Sequence, residues 1–132
     1  MIKIKRVYEK IDVRDGTRVL IDGLWPRGVR TGTQNIDMWM KDVAPSAELR
    51  KWFAHDPAKW QDFRKRYKAE LESNRAMSKL IALAQEHDPL TLLFSAKDEE
   101  HNNAVVLLEV LGLKLERIKK LRSGPVARPD QQ

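Results

Sequence analysis

The segment at positions 90–94, with the sequence LTLLF, constrains the fold of this chain more strongly than any other. It is a short, nearly unbroken apolar run, and Pro89 and Ser95 bound it on either side. A short run without polar alternation is typical of a β-strand that is covered on both of its faces. We therefore predict a central strand here, which the rest of the chain must cover.

Two further strands are predicted near the amino terminus. Positions 2–8 alternate in hydrophobicity, and positions 17–21 are β-branched and apolar. The polar stretch between them ends at positions 15–16 in Asp-Gly, a turn signal, so the two strands could form a hairpin with a long loop. A short extended segment is predicted at positions 36–40, with Trp39 on the opposite face from the methionines.

Helix signals separate these strands from the central one and also follow it. Ser46 is a candidate N-cap for a first helix, and Asp-Pro at positions 56–57 supplies the N-cap and first residue of a second. A third helix is predicted between positions 74 and 89. The apolar stretch at 104–111 predicts a fourth helix, which Gly112 would end as its C-cap.

The order of these elements predicts a single α/β domain over residues 1–112, a small central sheet covered by helices. Residues 113–132 would form a basic C-terminal tail, since six basic residues stand there against two acidic ones. The whole chain has a net charge of +6, so its body is nearly balanced. Such a tail is more often a solvated, flexible end than a nucleic-acid-binding arm, and both interpretations stay open.

Composition and missing motifs exclude or disfavour several functions. Without cysteine the chain forms no disulfide, thiolate nucleophile or cysteine-ligated metal site. Its three histidines are not spaced as a helical pair of metal ligands, and no G-x-S-x-G elbow or glycine-rich phosphate loop is present. No apolar run approaches the roughly 20 residues of a membrane span, and the amino terminus lacks a signal-peptide pattern. We therefore expect a cytoplasmic protein without cofactor, metal or membrane partner.

The turn DGLWPRG at positions 22–28 is the strongest candidate for a functional site. Asp22 directly follows a predicted strand, where residues of open α/β sheets often contact ligands. Trp25 and Pro26 would stiffen the loop, and Arg27 offers a planar set of donors suited to a carboxylate or phosphate. The alternative is a rigid turn in which Arg27 pairs with Asp22 and Trp25 fills the core.

A second polar block begins at Ser95 and joins the predicted central strand to the last helix. The N–H groups at a helix start attract anions, and Lys97 would add positive charge. Ser95 and His101 could act as hydrogen-bond donors or proton carriers. The alternative is ordinary capping of the helix by Asp98 or Asn102, with Lys97 solvated. Three consecutive acidic residues after Lys97 also count against a phosphate site.

A third block contains Lys41, Ser46 and Arg50. Arg50 lies one helical turn after Ser46, so its side chain could point toward the ligand-binding end of the sheet. An arginine at such a position is more often an ordinary surface residue. This block therefore supports a site only in combination with the other two.

Together the three blocks resemble a known family. The stretches VLIDGLWPRG at 19–28, WMKDVAPS at 39–46 and TLLFSAKD at 91–98 are similar to signature segments of the family called domain of unknown function 488, in its short YeaO-like branch. The resemblance extends from about position 4 to about position 113. It implies an α/β fold and a bacterial or archaeal cytosolic protein, and it brings no established activity. The regulator label of some relatives has no support from a helix-turn-helix pattern here.

The chain departs from the family pattern at two positions. Members usually carry an arginine where this chain has Gly23, so one positive charge is missing beside Arg27. The resemblance then implies that an anion would be bound more weakly or chosen differently. Longer relatives carry cysteines near the third signature segment, where this chain has Ser95, so their thiol chemistry cannot transfer.

We predict a binding site for a polar or anionic small molecule between the three blocks. The predicted ligand-binding residues are Trp25, Arg27, Lys41, Ser46, Arg50, Ser95, Lys97 and Asn102. In an enzyme, Asp22 or His101 would be the general base, while Arg27 and Lys97 would stabilise developing negative charge. Two alternatives stay open: a nucleic-acid-associated or regulatory protein that uses the basic tail, and a protein-interaction module.

Overall fold

A computed structural model describes residues 1–32 and 35–123. Within them, four parallel strands form one sheet, in which the fourth strand of the chain lies between the first and the second and the third lies at the edge beside the second. The strands are β1 (Ile2–Arg6), β2 (Thr17–Leu20), β3 (Met38–Trp39) and β4 (Leu90–Phe94). The α-helices are α1 (Ala47–Phe53), α2 (Trp60–Glu72), α3 (Ala76–Glu86) and α4 (Asn103–Ser123), and short 3-10 helices cover Val13–Asp15, Lys41–Val43 and Pro57–Lys59. The predicted α/β architecture is confirmed.

The central position of β4 follows from its apolar sequence. All five of its residues are buried, and it pairs with β1 on one side and β2 on the other. The hairpin predicted for the first two strands is wrong, because β1 and β2 are separated by β4. A hairpin of β1 and β2 would leave the most apolar strand at an edge, with unpaired backbone groups on one side.

Helices and loops cover opposite faces of the sheet. On one face, Val19 and Leu92 are neighbours across β2 and β4 and pack in a core to which all four helices contribute. On the other face, Leu20 and Leu93 form a smaller apolar cluster, against which Trp25 packs from the loop after β2. That loop therefore serves as a covering layer as well as a connection.

Side chains cap the helices at the predicted starts. The Ser46 hydroxyl accepts a hydrogen bond from the Leu49 N–H at the start of α1. The Asp56 carboxylate caps the 3-10 helix that leads into α2. Before α3, the Asn74 side chain accepts a hydrogen bond from the Ala76 N–H at 2.8 Å. These caps satisfy backbone donors that a helix leaves unpaired at its first turn.

The predicted end of the last helix is wrong, because α4 continues through Gly112 to Ser123. Gly112 lacks the positive φ of a glycine C-cap. A glycine inside a helix costs roughly 0.5–1 kcal/mol relative to alanine. Leu115 packs against the core one turn later and offsets this cost. The predicted domain boundary at residue 113 therefore falls within α4, and positions 124–132 of the predicted tail lie outside the described residues.

Candidate functional site

A cavity of about 590 Å³ opens where β1, β2 and β4 end. Its wall combines the end of β1, the turn after β2, the residues after β4 and parts of α1 and α2. The carboxyl ends of parallel strands are the usual location of ligand sites in open α/β sheets. The volume lies in the range of cavities that hold small organic molecules, roughly 300–1,000 Å³.

Aromatic side chains fix the shape of the turn after β2. The Trp25 indole N–H donates to the backbone carbonyl four residues later at 2.7 Å, and the Trp39 indole N–H donates to the Asp22 carbonyl at 2.8 Å. The two indole rings are in edge contact, with centroids 5.3 Å apart. From the turn after β1, the Tyr8 hydroxyl donates to the Arg27 carbonyl at 2.7 Å. The turn therefore keeps its shape without using the Arg27 guanidinium.

Asp22 joins the three segments that meet at the cavity. Its carboxylate accepts hydrogen bonds from the Ser95 backbone N–H at 2.9 Å, the Ser95 hydroxyl at 2.7 Å and the Asn103 side-chain amide at 2.9 Å. These bonds tie the end of β2 to the end of β4 and the start of α4. The structure does not have the Asp22–Arg27 pair of the rigid-turn alternative, although Trp25 does pack on the smaller apolar cluster.

Four cationic side chains line the cavity: Arg6, Arg27, Arg50 and Lys97. None of them forms an ion pair with any residue in the ranges 1–32 and 35–123. Arg6 is held in place by donating to the backbone carbonyls of Ala96 at 2.8 Å and Ser95 at 3.1 Å. The wall therefore concentrates positive charge at one end of the sheet.

Arg50 fits closely against the turn. A Cβ atom placed on Gly23 would lie 3.3 Å from the Cζ atom and 3.4 Å from the Nε atom of Arg50. The guanidinium therefore packs where Gly23 has no side chain. The Nε–H is also buried without a hydrogen-bond partner among the described residues. An unsatisfied buried donor costs about 1–3 kcal/mol, so this cation is held at the wall at the expense of stability.

The residues that follow α1 adopt an unusual backbone conformation beside the cavity. Ala54 and His55 have φ values of 46° and 57°, in the left-handed region. This region costs residues other than glycine roughly 1–2 kcal/mol each. The two conformations bring His55 to the cavity wall. Next to it, Phe53 and Phe63 stack with ring centroids 4.2 Å apart and supply an apolar part of the same wall.

The structure brings six of the predicted site residues together. They come from all three sequence blocks, so the blocks do meet in space. The six residues that line the cavity are Asp22, Trp25, Arg27, Arg50, Ser95 and Lys97.

Lys41 and Ser46, which were also predicted to bind ligand, lie outside the cavity wall. The Lys41 ammonium is 5.4 Å from the centre of the Trp39 ring. The Ser46 hydroxyl caps α1 and donates to the Glu70 carboxylate at 2.6 Å. Each side chain therefore has a partner that accounts for its position in the fold.

Asn102 and His101 also lie apart from the cavity wall. Asn102 is buried, and its side-chain oxygen accepts a hydrogen bond from the Val105 N–H at the start of α4. The His101 Nδ1 atom is 2.9 Å from an Asp98 carboxylate oxygen, and the imidazole packs edge-on against Trp60. The hydrogen bond with His101 holds the pKa of Asp98 below its ordinary value.

Several residues of the wall were not predicted from the sequence. Arg6 and Tyr8 follow the same rule that selected Asp22, because they stand at the end of a strand. The alternation at positions 2–8 predicts only a strand there, so it gives no sign of a part in the cavity. Asn103 is adjacent to the predicted Asn102, and only the exact start of α4 determines which of the two side chains lines the cavity. His55 gave no signal, since its position depends on the left-handed backbone after α1.

Comparison with known proteins agrees with the resemblance found in the signature segments. The family model described as the inactive DUF488-N3 subclade matches residues 1–128. The chain belongs to this family. The uncharacterised protein YeaO of Escherichia coli (strain K12) is 42% identical over 110 residues, which cover 83% of this chain and 96% of that protein.

An uncharacterised protein of Mycobacterium tuberculosis (strain ATCC 25618 / H37Rv) is 39% identical over 110 residues, which cover 83% of this chain and 92% of the relative. An uncharacterised protein of Mycobacterium bovis (strain ATCC BAA-935 / AF2122/97) has the same identity and coverage. No solved structure matches the chain. In the described part of the chain, no helix combines the length and the apolar character needed to cross a membrane.

Proposed function

We propose that this chain binds a small anionic molecule in the cavity at the carboxyl ends of β1, β2 and β4. The observation that carries the proposal is the set of four cationic side chains that line this cavity, Arg6, Arg27, Arg50 and Lys97, without ion pairs inside the described ranges. Like charges around one cavity repel, and a bound anion would relieve that repulsion.

The carboxylate on the wall does not remove the positive charge available to a ligand. Asp22 is the one acidic residue that lines the cavity in the described part of the chain. It accepts three hydrogen bonds from Ser95 and Asn103 and holds the strand ends together. An anion placed among the cations would instead form charge-assisted hydrogen bonds, which are about twice as strong as neutral ones.

We propose that the cavity binds its ligand without catalysing a reaction. Of the two residues suggested as a general base, Asp22 is engaged by three donors and His101 lies away from the cavity wall. The description of the matching family model as inactive also supports binding without catalysis. The protein would then act as a receptor for its ligand, with Arg27 and Lys97 as exposed contacts at the cavity wall.

The test is a thermal-unfolding titration with inorganic phosphate. Arg27→Ala is the test variant, because Arg27 is exposed and can be replaced without disturbing the core. At constant ionic strength, we expect phosphate to raise the melting temperature of the wild type more than that of Arg27→Ala. Lys79→Ala is the matched control, since Lys79 is an exposed cation on α3 outside the cavity. Phosphate also stabilises proteins nonspecifically. Equal shifts in the wild type, Arg27→Ala and Lys79→Ala would therefore overturn the proposal.

A further inference from the structure

From the lining of the cavity we infer that its ligand is an organic anion with an apolar body, carrying a carboxylate or phosphate group, and not an inorganic ion. This inference rests on the proposed function and narrows the ligand class of the same site. Three observations support it: the volume of the cavity, an exposed leucine on its wall, and the order of charged and aromatic side chains along α1.

The volume argues against a lone inorganic anion. At about 590 Å³, the cavity has room for many more atoms than a phosphate or sulfate ion contains. Cavities of roughly 300–1,000 Å³ hold organic ligands, and they combine mainly apolar walls with a few placed polar groups. Here the cations supply the polar groups and exposed Leu24 supplies apolar surface, while Pro45, Phe53 and Phe63, which the fold buries almost entirely, complete the wall.

Leu24 is apolar surface that the fold itself does not use. It belongs to neither apolar core, and 66% of it is exposed. The next residue, Trp25, packs on the smaller apolar cluster, and Pro26 is buried. A single exposed leucine is common on protein surfaces. Leu24, however, lines the same cavity as the two phenylalanines, so an apolar ligand there would remove it from water.

The wall along α1 changes from charged to aromatic over one helical turn. Arg50 and Phe53 are three residues apart, so they lie on the same face of the helix, about 5–6 Å apart at their Cβ atoms. Phe63 stacks on Phe53, and with 2% and 5% of their surface exposed the two rings add only a small apolar area to the wall. A ligand whose anionic group meets Arg50 would therefore place a directly attached apolar body against Phe53. A benzene ring bearing a carboxylate or phosphate has this length and polarity.

The experiment compares matched pairs of probes by isothermal titration calorimetry on the full chain at constant ionic strength. Phenyl phosphate is compared with inorganic phosphate, benzoate with acetate, and benzyl alcohol serves as the uncharged aromatic probe. We expect each aromatic anion to bind at least about tenfold more tightly than its small counterpart, because it buries apolar surface as well. Benzyl alcohol should bind more weakly than either aromatic anion.

A leucine variant separates the apolar contact from the charge. Leu24→Ala should weaken phenyl phosphate binding by about threefold to tenfold and leave inorganic phosphate binding unchanged. Leu113→Ala is the matched control, since Leu113 is 60% exposed on α4 and lies outside the cavity. It should leave both affinities unchanged. Equal losses for both ligands in Leu24→Ala would contradict the inference.

The outcomes distinguish this inference from the proposed function. If phenyl phosphate and inorganic phosphate bind equally tightly, and Arg27→Ala weakens the binding of both, the inference that the ligand has an apolar body is disproved. The proposed anion site is then supported. If no anion binds, both proposals are overturned. If benzyl alcohol binds as tightly as phenyl phosphate, the cavity prefers apolar ligands without regard to charge, which overturns the anionic part of both.

Discussion

Two groups of charged side chains lie at opposite ends of β2, and they differ in their partners. Before the strand, buried Asp15 contacts Arg18, Lys5 and, at 3.8 Å, Lys3. Burial alone would raise the pKa of Asp15, but hydrogen bonds from the Asp12 N–H, Lys5 and Arg18 hold it below its ordinary value. We call Lys3, Lys5, Asp15 and Arg18 the amino-end cluster. Its negative charge is surrounded by the positive charges that it stabilises.

After β2, the four cations of the cavity have no such partner in the described part of the chain. The carboxylate beside them, Asp22, bonds to neutral groups of Ser95 and Asn103 instead. We call Arg6, Arg27, Arg50 and Lys97 the cavity cluster. Partners, more than the number of charges, therefore separate a cluster that stabilises the fold from one suited to a ligand.

The largest expected effect concerns the amino-end cluster. Asp15→Asn should lower the free energy of unfolding by about 3–5 kcal/mol, because it leaves the buried Arg18 charge uncompensated. Urea denaturation at neutral pH measures the change. Asp62→Asn is the control, since Asp62 is exposed in the first turn of α2 and should cost less than about 1 kcal/mol. Similar losses in the two variants would show that Asp15 is not the structural partner of Arg18.

The stability difference between wild type and Asp15→Asn should also depend on pH. The pKa of Asp15 is lower in the folded chain than its ordinary value of 3.8. A carboxyl group with a lowered folded pKa stabilises the fold fully above its ordinary pKa, and this stabilisation is lost as the pH falls through the folded pKa. The stability difference between wild type and Asp15→Asn should therefore be constant near neutral pH and narrow below about pH 4. A difference that widens in acid would contradict the assignment.

Removing a charge from the cavity cluster should leave the stability of the fold almost unchanged and weaken anion binding. Arg50→Met deletes a buried donor that has no hydrogen-bond partner in the described part of the chain, so we expect the free energy of unfolding to stay within about 1 kcal/mol of wild type. Phosphate binding should weaken by at least about tenfold. Arg75→Met, at an exposed position before α3, should change neither property. Strong destabilisation by Arg50→Met would remove the contrast between the two clusters.

The smallest effect is expected at Gly23. A methyl group there would lie 3.3 Å from the Arg50 Cζ atom, so Gly23→Ala should displace the guanidinium slightly and weaken phosphate binding about twofold to fivefold. Stability should not fall, because Gly23 lacks a positive φ. Gly112→Ala, inside α4 with open space around it, should stabilise the helix by about 0.5–1 kcal/mol and leave binding unchanged. Unchanged phosphate affinity in Gly23→Ala would exclude the role given to this contact.

Much of the fold could be predicted because it depends on short-range chemistry. The apolar run of β4 requires burial on both faces, and the caps at Ser46 and Asp56 depend on residues within one turn. The order of the strands could not be read in the same way. The pairing of β1 with β4 joins residues almost ninety positions apart, for which local patterns give no signal.

The family, the central strand, the helix starts and the three polar blocks follow from the sequence, because each rests on neighbouring residues. The fold then determined which side chains of those blocks meet. Successive residues of a helix point about 100° apart, so Asn102 caps α4 while Asn103 reaches Asp22. It also decided that Arg18 has a buried carboxylate as partner, whereas Arg50 has no carboxylate partner among residues 1–32 and 35–123. Whether a charged side chain has an oppositely charged partner depends on residues that are distant in sequence.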